Sequence, residues 1–241
     1  VGARALAAKD AVLTFEGVSS CFYVWLNGDF VGYSEVSHGV SEFCVTDKLR
    51  AGENELRVLV IKYSTGSYLE DQDMFRASGI FREVYLLFRD RRRVRDITVG
   101  CELSDDFGTA VFTVTLDGCL HKNATARLLT ASGADSGAFA QRDGKTVTFI
   151  LRDPALWSDE TPNLYYFYLE NGKEHIALPV GARKIEVRDR VVLLNGRPVK
   201  ARGVNRHDSS PLLGYAAPMD AMLRDLAICK QNHVNMIRTS H

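Results

Sequence analysis

VVLLNGRPVKARGVNRH, residues 191–207, is where the chain changes architecture. Its first half ends a β pattern. Asn195-Gly196 reads as a two-residue hairpin turn, because such a turn needs positive φ at both positions and Asn and Gly tolerate that best. Its second half, Lys200–Asn205, reads as a strand running into Arg206 and His207. From Pro218 to His233 the apolar residues Met222, Leu223, Leu226, Ala227 and Cys229 form a helical stripe, and Pro218 suits a first helical turn. Val234–Arg238 is strand-like again and ends in Thr239-Ser240-His241. Strand, helix, strand predicts a parallel βαβ unit. Two strands and one helix cannot close a core, so this stretch is expected to open a larger fold that the 241 residues cut short.

Parallel α/β folds carry their chemistry at the carboxyl ends of the strands. Here those ends are Asn205-Arg206-His207 and Arg238-Thr239-Ser240-His241, each with an Arg and a His. Guanidinium groups hold carboxylates and imidazoles hydrogen-bond hydroxyls, equipment that suits a polyol or sugar. From the residues alone, packed or surface histidines remain an equal reading.

Upstream, the first segment reads as a β-sandwich to about Phe88. Ala11–Phe15 and Ser20–Leu26 (SCFYVWL) are strand-like, Asn27-Gly28 supplies a hairpin turn, and Phe30–Tyr33 returns. Ser41–Val45, Glu55–Tyr63 and Phe81–Phe88 add three strands, of which Glu55–Tyr63 is expected to be buried on both faces at its centre. A second β region follows. Its strands Ile97–Leu103, Thr109–Leu116, Ala124–Thr130, Thr146–Leu151 and Tyr165–Leu169 are spaced like an immunoglobulin-like sandwich of about seven strands. Between the two regions, Arg89–Arg95 (RDRRRVR) is read as a solvated linker.

Within the first region, Ser64–Arg82 (STGSYLEDQDMFRASGIFR) is longer than an ordinary strand connection. It places the acceptors Glu70, Asp71, Gln72 and Asp73 between Tyr68 and Phe75. It is either a self-packed sandwich loop or a carrier of carboxylates to a site built by another domain.

Thirty basic residues balance 30 acidic ones, which argues against a nucleic-acid or anionic-membrane surface as the main partner. The five cysteines lack metal-ligand spacing and read as small buried hydrophobes in a reducing compartment. No stretch approaches the roughly 18 apolar residues of a membrane span. No signal peptide is visible, and Val1 is not a natural start.

Several ordered stretches resemble the glycoside hydrolase family 2 β-galactosidases. They are FEGVSSCFYVWLNGDFVGYS (15–34), LRAGENELRVLV (49–60), GSYLEDQDMFRASGIFREVYLL (66–87), LWSDETPNLY (156–165), LLNGRPVKARGVNRHD (193–208) and IRTSH (237–241). The LEDQDMFRASGIFR loop points to the galactosidase branch rather than to relatives acting on glucuronides or mannosides. The resemblance implies a mainly β chain in three parts. These are a partial jelly-roll-like sugar-binding sandwich (1–90), an immunoglobulin-like sandwich (91–188) and the first βαβ unit of a (β/α)8 barrel (189–241).

It further implies a retaining β-galactosidase acting on terminal β-D-galactose, cytoplasmic and homo-oligomeric, with Mg2+ and Na+ as cofactors. His207 and His241 would contact the galactosyl group and stabilise the transition state. Arg238 would position a catalytic carboxylate, Asn205 and Arg206 would support the site, and Asp73 would ligate sodium. The catalytic Glu pair and the magnesium ligands are expected beyond His241, so the 241 residues alone are expected to be inactive. The alternatives are a family 2 β-glucuronidase or β-mannosidase, or a non-catalytic carbohydrate-binding sandwich.

Overall fold

The computed structural model describes residues 1–2, 6, 9–70 and 75–240. They divide into one unit formed by the first 91 residues with those from Arg202 onward, and another formed by Arg92–Ala201. Among the described residues no helix is long and apolar enough to cross a membrane.

The first unit begins with β1 (Lys9–Phe15), β2 (Val18–Ser19), β3 (Cys21–Leu26), β4 (Asp29–Ser34), β5 (Ser41–Cys44), β6 (Leu56–Ile61), β7 (Gly79–Ile80) and β8 (Val84–Asp90). Two antiparallel sheets, ordered β5-β1-β8 and β4-β3-β6, share one core, and β2 pairs with β7. Alternation decides which side chains reach that core: Ala11, Leu13 and Phe15 from β1 meet Phe22, Val24 and Leu26 from β3. Fully burying each of the larger side chains contributes about 1.5–3 kcal/mol. The Asn27-Gly28 turn has the expected positive φ at both residues, 54° and 91°. The Asn27 side chain also donates to Lys48 O at 2.8 Å and to Asn54 Oδ1 at 2.9 Å, tying the hairpin to the neighbouring turn.

Strand β6 differs from expectation. It lies at the edge of its sheet, and only alternate residues, Val58 and Val60, pack on the core. Leu59 is 52% exposed, because nothing among the described residues covers the outer face of that sheet. The solvated basic run does join the two units, between Arg91 and Arg92, but its ends are taken into strands. β8 extends to Asp90, Arg91 Nε lies 3.5 Å from Asp10 Oδ1, and Val94 is buried as the first residue of the next strand. Of the cysteines only Cys21 is buried; Cys44 and Cys119 are exposed, although all five are unpaired thiols.

In the second unit, β9 (Val94–Leu103), β10 (Thr109–Gly118), β11 (Thr125–Thr130), β12 (Phe139–Asp143), β13 (Thr146–Arg152), β14 (Tyr165–Asn171) and β15 (Glu174–Val180) form two sheets, β12-β13-β10-β9 and β11-β14-β15. Seven strands split four and three make an immunoglobulin-like sandwich around Phe112, Phe149 and Phe167. Strands β12 and β15 escape a reading by pattern: every residue of β12 is exposed, and β15 carries Pro179. A three-stranded meander closes the unit, β16 (Ile185–Arg188), β17 (Val191–Leu194) and β18 (Arg197–Pro198), with the Asn195-Gly196 turn where its φ chemistry requires it.

The chain then returns to the first unit as β19 (Gly203–Arg206), a crossover helix (Met219–Gln231) and β20 (Met236–Thr239). β19 and β20 pair in parallel, Asn205 opposite Arg238 and Arg206 opposite Thr239. This is a single parallel βαβ unit. None of the helix residues is buried, and Met219, Leu223, Leu226 and Ile228 are each at least half exposed.

Gly118 is the tightest backbone position of the second unit. Its φ is +108°, and an added Cβ would overlap Arg93 O and lie 2.7 Å from Arg95 N, where β9 and β10 slip register. Gly118→Ala is expected to destabilise the chain by about 1–3 kcal/mol in urea unfolding. Gly100→Ala in β9, where the nearest atom is Thr113 O at 3.9 Å, is the expected near-neutral control.

Candidate functional site

Two adjoining features of the first unit gather polar side chains. The first is the carboxyl end of the β19/β20 pair. Register sets Asn205 beside Arg238, and Arg238 Nη1 donates to Asn205 Oδ1 at 3.4 Å. Arg206 turns onto two carboxylates: its Nε donates to Asp225 Oδ2 at 2.9 Å, and its Nη1 donates to Asp208 Oδ1. Burial works to lower the Arg206 guanidinium, but these two acids outweigh it and hold the group above its usual value. Arg82 Nη2 lies 3.6 Å from the other oxygen of Asp208, so a residue of the sandwich and a residue of the barrel strand share one acid. The backbone continues the ladder with Ser240 N donating to Arg206 O at 3.0 Å. Ser240 Oγ is buried with no hydrogen-bond partner among the described residues.

The second feature is a cleft of about 530 Å³ lined in part by Ser37, His38, Tyr63, Glu70, Arg76 and Tyr215. Its wall is built by the start of the Ser64–Arg82 stretch, which folds into a helical turn, α1 (Thr65–Leu69), rather than a plain loop. Ser64 and Ser67 cap that turn reciprocally, side chain to backbone in both directions. Ser20 Oγ holds the cap in place by donating to Ile61 O at 3.0 Å and lying 2.9 Å from Ser64 Oγ.

At the cleft floor His38 packs against Phe81 (ring centroids 5.0 Å apart) and Tyr215 (5.2 Å, nearly perpendicular), and Arg82 lies over the Phe81 ring at 5.3 Å. Phe81 fits there because Gly17 has no side chain; a Cβ at that position would lie 2.7 Å from the ring. Burial lowers the affinity of His38 for a proton, and the Arg82 charge lowers it further, against weaker opposite pulls from Glu70 and Asp208. Burial raises the Tyr215 phenol, opposed by the Ala77 amide and the Arg76 charge.

Of the residues expected from the sequence, Asn205, Arg206, His207 and Arg238 fall together at the strand ends. Asp73 and His241 lie outside the described residues. Sequence reasoning passed over His38, Tyr215 and Asp225. His38 sits in a Ser-Gly turn with no periodic signal, Asp225 is an ordinary solvent-side helix residue by pattern, and Tyr215 is one aromatic in a Gly-Pro-rich connection. Only the fold brings them to Phe81 and Arg206.

Residues 2–90 match the sugar binding domain of glycosyl hydrolases family 2, residues 92–183 match glycosyl hydrolases family 2, and residues 185–241 match that family's TIM barrel domain. The chain is 42% identical over 233 residues to a β-galactosidase of Staphylococcus xylosus, covering 96% of this chain and 23% of that protein. It is 44% identical over 234 residues to a β-galactosidase of Actinobacillus pleuropneumoniae, covering 97% of this chain and 23% of that protein. The chain thus spans about a quarter of the length of these relatives. Among solved structures, a β-glucuronidase of an uncultured Clostridium superposes with a TM-score of 0.85 at 24% identity, over all of this chain and 43% of that one. At that identity the likeness is one of fold.

Two outcomes follow from this geometry. His38 should titrate below the ordinary histidine value of about 6.5 by NMR, and Arg82→Ala should move its midpoint upward. Because the folded value lies below the unfolded one, the His38 contribution to stability is complete above about pH 6.5 and is lost as pH falls through the folded value. Arg206→Gln should speed amide exchange in the Met219–Gln231 helix about fivefold, since it loses the bond from β19 to Asp225; unchanged exchange would mean the helix is held by other contacts.

Proposed function

This chain belongs to glycosyl hydrolases family 2, and we propose on that premise that it supplies the sugar-binding sandwich, the spacer sandwich and the barrel entrance of a retaining β-galactosidase. The observation that carries the substrate is the identity of 42% and 44% to two β-galactosidases over nearly the whole chain. The terminal β-D-galactose sits over the carboxyl ends of β19 and β20. His207 and His241 contact its hydroxyls and stabilise the transition state, and Arg238 positions a catalytic carboxylate. A guanidinium has five N–H donors, and among the described residues Asn205 accepts one of those of Arg238. Arg206 is scaffold rather than ligand, since Asp208 and Asp225 engage it from two sides.

Retaining hydrolysis uses two carboxyl groups about 5 Å apart, one as nucleophile and one as acid/base. Asp208, just past β19, and Asp225, on the crossover helix, both engage Arg206. The catalytic pair is therefore assigned to later barrel strands. Asp73 remains the proposed sodium ligand, and magnesium is assigned to ligands outside this stretch. The described residues include no cluster of three or more His, Cys, Asp or Glu that could hold a metal, and Asp73 lies outside them. A cytoplasmic homo-oligomer, with no nucleic-acid or membrane partner, completes the proposal; the balanced charge and five free thiols support it.

A protein carrying this chain with a complete barrel should hydrolyse a chromogenic β-galactoside faster than the matching β-glucuronide or β-mannoside. The 241 residues alone should be inert. In the complete protein His207→Ala should lower kcat about 10²-fold or more with a smaller change in KM. Faster turnover of the glucuronide would overturn the substrate assignment.

A further inference from the structure

The connection from β19 to the crossover helix, residues 207–218, begins at His207. Its middle folds on itself, with Ser210 and Gly214 exchanging backbone hydrogen bonds of 2.8 and 2.9 Å, and Leu212 at its tip is exposed. Two consecutive residues of the sandwich hold this connection on either side of the tip. Arg82 Nη2 lies 3.6 Å from Asp208 Oδ2 on one side, and the Phe81 ring meets Tyr215 at 5.5 Å on the other.

Phe81 and Arg82 are themselves held by backbone on both flanks. Val18 and Ser19 of β2 pair with Ile80 and Gly79 of β7, Phe81 N donates to Gly17 O at 3.2 Å, and Glu16 N donates to Glu83 O at 3.0 Å. Gly17 makes room for both side chains: a Cβ there would lie 2.7 Å from the Phe81 ring and 3.1 Å from Arg82 Cδ. With its backbone fixed and its guanidinium over the Phe81 ring, Arg82 has little further freedom to lose when it meets Asp208.

Asp208 is where this support reaches the strand-end site. It follows His207 directly; one of its oxygens faces Arg82 and the other accepts from Arg206 Nη1. Arg206 is fixed in turn, its carbonyl accepting from Ser240 N at 3.0 Å and its Nε donating to Asp225 Oδ2 at 2.9 Å. Ser209 N donates to His207 O at 2.9 Å, a tight turn centred on Asp208. The chain is thereby held on both sides of His207. Arg82 and Asp208 are both partly exposed, so their pairing adds little to stability. Its effect is directional, and a misplacement of about 1 Å at a reacting site is enough to cost rate.

We propose that Arg82 is a positioning residue for the hydrolysis, acting from the sandwich through Asp208 to set His207 at the strand end. This rests on the catalytic reading of His207. The Arg82–Asp208 contact is longer than a hydrogen bond and works by charge, so a lysine can serve in its place.

The test uses the complete protein and the glycoside that it hydrolyses fastest, so that a wrong substrate class does not disguise the result. Arg82→Gln keeps part of the stem over Phe81 and removes the charge. It should lower kcat about tenfold and leave KM within about twofold, the pattern of an interaction made in the transition state. Arg82→Lys should recover most of that loss, and unfolding curves check that both variants fold. On a His207→Ala or an Asp208→Asn background, Arg82→Gln should change kcat by less than about twofold, because its effect passes through both residues.

An unchanged kcat in Arg82→Gln, with His207→Ala strongly impaired, overturns the proposal and leaves the catalytic reading standing. So does an undiminished loss on the Asp208→Asn background, or a loss that lysine does not relieve. A His207→Ala variant as fast as its parent would sink the catalytic reading, and this inference with it.

Discussion

Phe43 lies against the backbone of β4 where Gly32 leaves it room: a Cβ on Gly32 would lie 2.6 Å from Phe43 Cδ1. From that position the ring makes edge-on contacts with Phe15 at 6.1 Å and Phe22 at 6.0 Å, while Phe15 and Phe22 meet at 4.8 Å. These three rings join β5, β1 and β3, and so join the two sheets of the first unit. Edge-to-face contacts add about 0.5–1.5 kcal/mol per pair beyond area burial. Their larger consequence is geometric. Gly32 sits within a β-bulge that lets β4 turn Val31 inward and Phe30 outward.

The same logic of space set aside by glycine recurs at Gly17, whose missing side chain seats Phe81 beside His38 and Tyr215. Arg82 follows Phe81 directly and reaches Asp208, just beyond the end of β19. The sandwich loop and the barrel entrance are therefore coupled by one packed ring and one shared carboxylate. An exposed ion pair contributes little by itself. Here it acts next to the Phe81 ring, over which Arg82 lies at 5.3 Å, so the strand-end residues are carried on a supported segment rather than a loose tail.

How much of this was legible depends on how far each feature looks along the chain. The Asn27-Gly28 and Asn195-Gly196 turns are dictated by φ alone and fall where expected. The parallel strand pair was legible from a helical stripe between two short apolar runs. The double burial expected of Glu55–Tyr63 failed for a different reason: its apolar residues run on both faces, but only one face has a partner. Phe139–Asp143 was invisible because an exposed edge strand has no hydrophobic pattern to show; it is held by backbone pairing with β13 and by Arg142 donating to Ala124 O. The loop at Ser64–Arg82 could be picked out by composition, yet its capped helical turn rests on Ser20, over forty residues away.

The sequence by itself determined the β and α/β regions, the main hairpin turns, the strand-end placement of Asn205, Arg206, His207 and Arg238, and the family resemblance. All of these rest on short-range dihedral preferences, side-chain periodicity or ordered motifs, which the chain carries locally. Only the tertiary structure decided which way Phe30 faces, which acids Arg206 engages, and that His38, Phe81 and Tyr215 share a floor. A bulge is defined by the strand opposite, and an ion pair by whatever the fold brings within reach; neither partner is specified by its own neighbours in sequence.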